Sequence, residues 1–121
     1  MSSTKSKSRE TKQELQLSDT AQRRKNALLR VESAVCRDRT KTHGDAEDNF
    51  SDIAEVWTIH LRRRRLIPKG ANLVALDVAH MMASMKLCRA SGFMEYLDHW
   101  DDLSGYGACG SGIVDRIVSG K

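Results

Sequence analysis

The stretch Asp98-His99-Trp100-Asp101-Asp102-Leu103-Ser104-Gly105-Tyr106-Gly107 holds the residue types best suited to chemistry. Read as a helix, it sets Asp98, Asp101 or Asp102, Gly105 and Tyr106 on one face, since residues three and four apart are neighbours there. Trp100, Leu103 and Gly107 fall on another face, suited to packing. Two carboxylates at that spacing repel unless a metal ion, a lysine or an arginine sits between them. The plainer alternative is an acidic helix start, because Asp in a first turn caps free amides and meets the positive end of the helix dipole. Either way, the rest of the chain must supply the scaffold.

With 121 residues, the chain has room for one domain and a tail. One proline, 5% aromatic residues and no hairpin dipeptides argue against an all-β fold. The fold class is therefore all-α: a compact bundle of about four helices with a disordered basic N-terminal tail. The boundary falls between a flexible extension, residues 1–25, and a helical domain, residues 26–121. Three widely spaced cysteines support neither a disulfide framework nor a zinc ribbon, and suit a reducing compartment. Residues 1–16 carry no apolar run of a signal peptide, and no stretch is long enough to span a membrane. A soluble, cytoplasmic protein with no membrane partner is expected. The net charge of +4 is uneven: residues 1–41 hold eleven Lys/Arg against five Asp/Glu, whereas residues 42–121 hold nine against eleven. That basic end would bind nucleic acid through phosphates or, more often, is simply solvated.

In chain order, Leu17, Ala21, Leu28, Val31 and Val35 recur at helical spacing, most clearly from Asn26 to Cys36, with Ser18 or Asp19 as a cap. Gly44 supplies a turn, and Asp45 or Asp48 caps a second helix with Phe50, Ile53, Ala54, Trp57 and Leu61 on one stripe. Arg62–Arg65 close it, where positive charge suits the dipole. A third helix from about Leu73 to Arg89 turns Val78, Met81, Met82 and Met85 to the core. A fourth, from Tyr96–Asp98 to Val118, contains Gly105, Gly107, Gly110 and Gly112, which weaken it unless they serve close helix approach. His60, His80 and His99 lack spaced partners for zinc.

Four blocks occur in order: Asp38-Arg39-x-x-x-His43-Gly44-Asp45, Asn49-Phe50-x-x-Ile53-Ala54-x-x-Trp57, Asp77-Val78-x-x-Met81-Met82-x-x-x-Lys86-x-x-Arg89, and Asp98-x-x-x-Asp102-x-x-Gly105-Tyr106. Together, over about Ala27 to Ile117, they resemble a family of small, mostly phage- and prophage-encoded proteins of unassigned function. That family is loosely grouped with the all-α nucleoside triphosphate pyrophosphohydrolases of the MazG type. The resemblance implies a four-helix, often oligomeric domain in which carboxylates on adjacent helices hold magnesium against a triphosphate. Asp52-x-x-Glu55 matches half of the MazG-type carboxylate pattern; the partner motif is missing, because Asp77 stands alone on the next helix. His43 stands where the family commonly has Tyr.

The resulting constellation draws on three helices. Asp98, Asp102 and Lys86 would be catalytic. Asp77, Asp98 and Asp102 would bind metal. Asp45, Asn49, Arg89 and Tyr106 would contact substrate, with Lys86 and Arg89 toward phosphate. The competing arrangement is a polar network in which Lys86 or Arg89 pairs with Asp98 and Asp102 and pins the helices. Three functions follow as expectations. The first is a Mg-dependent nucleotide-binding protein that either binds a nucleoside triphosphate or hydrolyses it as a pyrophosphohydrolase. The second is a non-catalytic phage accessory protein that binds a host protein or nucleotide signal, and the third binds nucleic acid through the N-terminal segment and Arg62–Arg65. A homo-oligomer is expected.

Overall fold

Four helices account for nearly all of the described chain. The structure is a computed structural model describing residues 16–38 and 44–120. Helix α1 spans Asp19–Ser33 and runs on into a π-helical turn, Ala34–Asp38. Helix α2 spans Ala46–Arg63, α3 spans Ala75–Gly92 and α4 spans Leu97–Ser119. No strand occurs among the described residues. The tail expected to be disordered lies largely outside the described residues, as does His43. Residues 19–25, expected in a flexible extension, instead form the first turns of α1. Ser18 caps them by accepting from the Ala21 amide at 3.2 Å, and Asp19 sits in the first turn, where the dipole favours it.

The α2 start follows its sequence signals. Gly44 takes the left-handed backbone (φ 73°) that a side chain would strain, and the Asp45 carboxylate accepts from the Glu47 amide at 3.3 Å. The apolar stripe of α2 faces inward as its spacing requires: Phe50 and Ala54 are buried, and Ile53 and Trp57 pack against them. Helix α3 is apolar almost all round, so its periodicity chooses no single face. Val78 and Ala79 are buried and Met82 and Ala83 pack inward, whereas Met81, expected in the core, is exposed. Small residues let α3 lie close to α4: a Cβ on Gly110 would sit at ordinary contact distance, 3.7 Å, from the Ala79 methyl. Glycine is not required at 107 or 112, where an added Cβ would meet nothing within 4 Å. The use of all four glycines for close approach is therefore not what the fold shows.

The core unites α2, α3 and α4 through Phe50, Ala54, Val78, Ala79, Tyr106 and Ile113. Helix α1 packs on α4 and contributes the buried Val31. The expected faces of α4 are partly exchanged. Tyr106 is in the core, its ring 6.3 Å from that of Phe50, while Trp100 and Gly107 face outward. A helix has one stripe for the core, and Tyr106 with Ile113 brings more apolar surface to it than Gly107 does.

The α2–α3 connection is tied down by a buried hydroxyl. Thr58 Oγ1 donates to the Ala54 carbonyl (2.6 Å) and accepts from the Leu73 amide (2.9 Å). Thr58→Val keeps the shape but orphans the Leu73 amide, so a loss of about 1–3 kcal/mol is expected in denaturant unfolding, with m unchanged. A loss below about 0.5 kcal/mol would show that this amide finds water instead.

Candidate functional site

The carboxylates of α4 line a cleft between α1 and α4. Its volume is about 450 Å³, and Asp98, Asp101 and Asp102 line one side of it. Arg30 and Asp38 of α1 and its π-helical turn face them, over a floor that includes Val31, Val35, Gly105 and Tyr106. The two walls come together because α4 has no side chain at 105. A Cβ there would stand 3.1 Å from Val35 Cγ2, tighter than ordinary van der Waals contact.

Each of two acidic groups has its own cation. Arg30 Nε lies 2.8 Å from Asp101 Oδ2, and its Nη2 donates to Oδ1 at 3.4 Å. The hydrogen bond from Arg30 to Asp101 raises the guanidinium pKa, helped by the charges of Asp101 and Asp98 and opposed by desolvation. Lys86 reaches from α3, largely buried along its stem, and places Nζ 2.8 Å from Asp102 Oδ2. This is the arrangement the helix-pinning alternative calls for at Asp102. Asp98 is exposed.

The remaining expected residues divide around this cleft. Asn49 lines a second cleft of about 310 Å³ with Gly44, Asp52, Ile53 and Met82, and the two clefts share Val35 and Tyr106. Asp45 is engaged in capping α2. Arg89 is exposed near the end of α3 and lines neither cleft. Asp77 does not join Asp98 and Asp102. Its carboxylate accepts from the Val74 amide at 2.8 Å and closes the start of α3, while Lys86, nine residues further on, lies about 13 Å along the helix. A metal site built on Asp77, Asp98 and Asp102 is therefore not what the fold makes.

Among the described residues, no group of three or more His, Cys, Asp or Glu is placed to hold a metal ion. Asp101 and Asp102 are already neutralised by Arg30 and Lys86. The donor set does not fit a magnesium centre held by the protein alone.

A family model described as a domain of unknown function, DUF6378, matches residues 26–114. The chain belongs to the DUF6378 family. It is also 30% identical over 94 residues to the Gene 55 protein of Mycobacterium phage D29. That match covers 78% of this chain but 57% of the phage protein, so the chain spans little more than half of that relative. No solved structure matches it significantly. The family model begins at residue 26, whereas α1 of this DUF6378 chain begins at Asp19. No helix among the described residues is long and apolar enough to cross a membrane.

Sequence reasoning missed Arg30 and Asp38 in this DUF6378 cleft. Arg30 meets a carboxylate 71 positions away, and no local spacing announces such a pair. A local clue existed in Gly105 beside Tyr106: a small residue in mid-helix marks a place where another backbone comes close.

Proposed function

We propose that this DUF6378 protein binds a ligand of the nucleotide class in the α1–α4 cleft, in the cytoplasm of its host. The observation that carries this reading is the composition of the cleft, with Asp98, Asp101 and Asp102 on one wall and Arg30 and Asp38 on the other, over an apolar floor. Its volume of about 450 Å³ is in the range of small-ligand pockets. Carboxylates accept hydrogen bonds from ribose hydroxyls and base amino groups, Val31 and Val35 offer apolar surface to a base, and Arg30 suits a phosphate. With Asp101 and Asp102 paired to Arg30 and Lys86, the lining keeps a net negative charge, which repels a bare polyphosphate. Magnesium thus enters only as the counter-ion of a triphosphate, and pyrophosphohydrolase activity requires that form. The loose grouping of the phage family that the sequence blocks resemble with MazG-type pyrophosphohydrolases supports the same ligand class.

The test is calorimetric titration with nucleosides, nucleoside monophosphates and nucleoside triphosphates, each with and without magnesium, followed by product analysis. Asp98→Asn/Asp102→Asn is the matched variant. Loss of charged acceptors is expected to weaken binding about 10- to 100-fold. Magnesium-dependent release of pyrophosphate or phosphate would make the protein a hydrolase, and binding without turnover a sequestering protein. No binding of any of them sinks this reading.

A second reading rests on a different surface. Phe93, Met94, Tyr96, Leu97 and Trp100, all exposed, form an apolar corner between α3 and α4. Such patches mark protein interfaces. This supports a non-catalytic accessory protein with a host protein as partner, or a homo-oligomer. A mass above the monomer's in light scattering, lost in Leu97→Glu, would favour the oligomer.

A further inference from the structure

The end of α2 and the loop after it carry Arg62, Arg63, Arg64, Arg65 and Lys69, five cations without an intervening carboxylate. Among the described residues, none of them is ion-paired. Helix-dipole preference accounts for cations in the last turn of α2, but not for Arg65 and Lys69 beyond it. Arg62, Arg65, Ile67 and Lys69 line a concavity of about 350 Å³. Arg62 is held in place there, donating from Nη2 to the Ala71 carbonyl (3.1 Å) and to the side-chain oxygen of Asn72.

The backbone supplies an independent observation. The helix ends with the Leu66 amide bonded to the Leu61 carbonyl and the Arg65 amide to the Arg62 carbonyl, both at 2.9 Å. In that termination, the residue at position 65 is left-handed and is usually glycine. Here it is arginine, at φ 58°, the sole non-glycine residue with positive φ among those described. Strain of this kind marks a side chain worth keeping.

We propose that this arginine-rich helix end is a binding site for the phosphodiester backbone of a nucleic acid. Guanidinium forks fit phosphate oxygens in pairs, and four of the five cations are arginine. Arg62, Arg65 and Lys69, brought to one concavity from a helix end and a loop, suit the phosphates of one strand. This site is separate from the acidic cleft, and its partner has the opposite charge.

The experiment follows anisotropy of a fluorescein-labelled 20-mer duplex against the full chain from 50 to 200 mM KCl. Wild type is compared with Arg65→Gly and with Arg65→Gly/Lys69→Gln. Removing a phosphate contact should make the slope of log K on log salt shallower by about 0.9 per cation. Arg65→Gly should meanwhile melt a few degrees higher, because glycine relieves the left-handed strain. Weaker binding by a more stable protein is the signature of the site. An unchanged slope in both variants overturns the proposal and leaves any binding to the basic N-terminal part, residues 1–41. So does competition by polyglutamate equal to that by unlabelled duplex, which would indicate an acidic protein partner. Displacement by inorganic phosphate at matched phosphate concentration also overturns it, leaving an isolated phosphate site.

Discussion

Phe50→Ala is expected to lower the unfolding free energy by about 3–5 kcal/mol. Phe50 is 5% exposed and belongs to the cluster that joins α2 to α3 and α4 through Ala54, Val78, Ala79, Tyr106 and Ile113. Truncation removes its transfer energy and leaves a cavity that Val78 and Ala79, on a helix held from both sides, fill poorly. A small domain has only about 5–15 kcal/mol in total, so a midpoint fall of about 15–30 °C should follow. Thermal and urea unfolding measure both quantities. A loss under about 1 kcal/mol would mean that α2 is held by its surface contacts rather than by this cluster.

The second large effect concerns α1. Gly105→Leu is expected to release α1 from α4 while the α2–α3–α4 core stays folded. The added Cβ alone would meet Val35 Cγ2 at 3.1 Å, and the further carbons of leucine have no room between the helices. Overpacking of this kind costs about 1–3 kcal/mol, more than the gain of up to about 1 kcal/mol from replacing glycine in a helix. α1 carries the burden because Val31 is its one buried residue and its ion pair, Arg30 with Asp101, is solvent-exposed. Hydrogen exchange should show α1 amides unprotected and those of α3 still slow. The nucleotide binding proposed for the α1–α4 cleft should disappear with it. Retained protection in α1 would show that the helix shifts instead of leaving. Gly105→Ala is the graded control, since Val35 has only to give by a few tenths of an ångström.

These two substitutions separate what was legible in the sequence from what was not. The α2 stripe was legible because Phe50, Ile53, Ala54 and Trp57 recur with the helical period, and polar residues fill the remaining positions. Its start at Gly44 and Asp45 was legible because left-handed turns and caps are local chemistry. α3 was legible as a helix but not in its orientation. Its apolar residues surround the axis, so only packing against α2 and α4 could choose Ala79 and Ala83 over Met81.

The acidic stretch on α4 was found from its composition, and Asp98, Asp102 and Tyr106 do line one cleft. Lys86 joins them through Asp102. Asp77 and Asp45 were candidates as members of the family-like blocks, with capping the other reading of Asp45, and both carboxylates satisfy free amides at helix starts. A sequence shows that a carboxylate is near a helix start or near other acids. It does not show which need is met first.

The sequence by itself determined helical fold class, the two best-marked helices and the charge pattern, including the arginine-rich end of α2. Those depend on interactions among residues a few positions apart. Tertiary structure alone decided that Arg30 faces Asp101, that Val35 lies over Gly105, and that Tyr106 turns inward. Each of these is a choice of one helix face against another, and that choice is made by the area two helices can bury together.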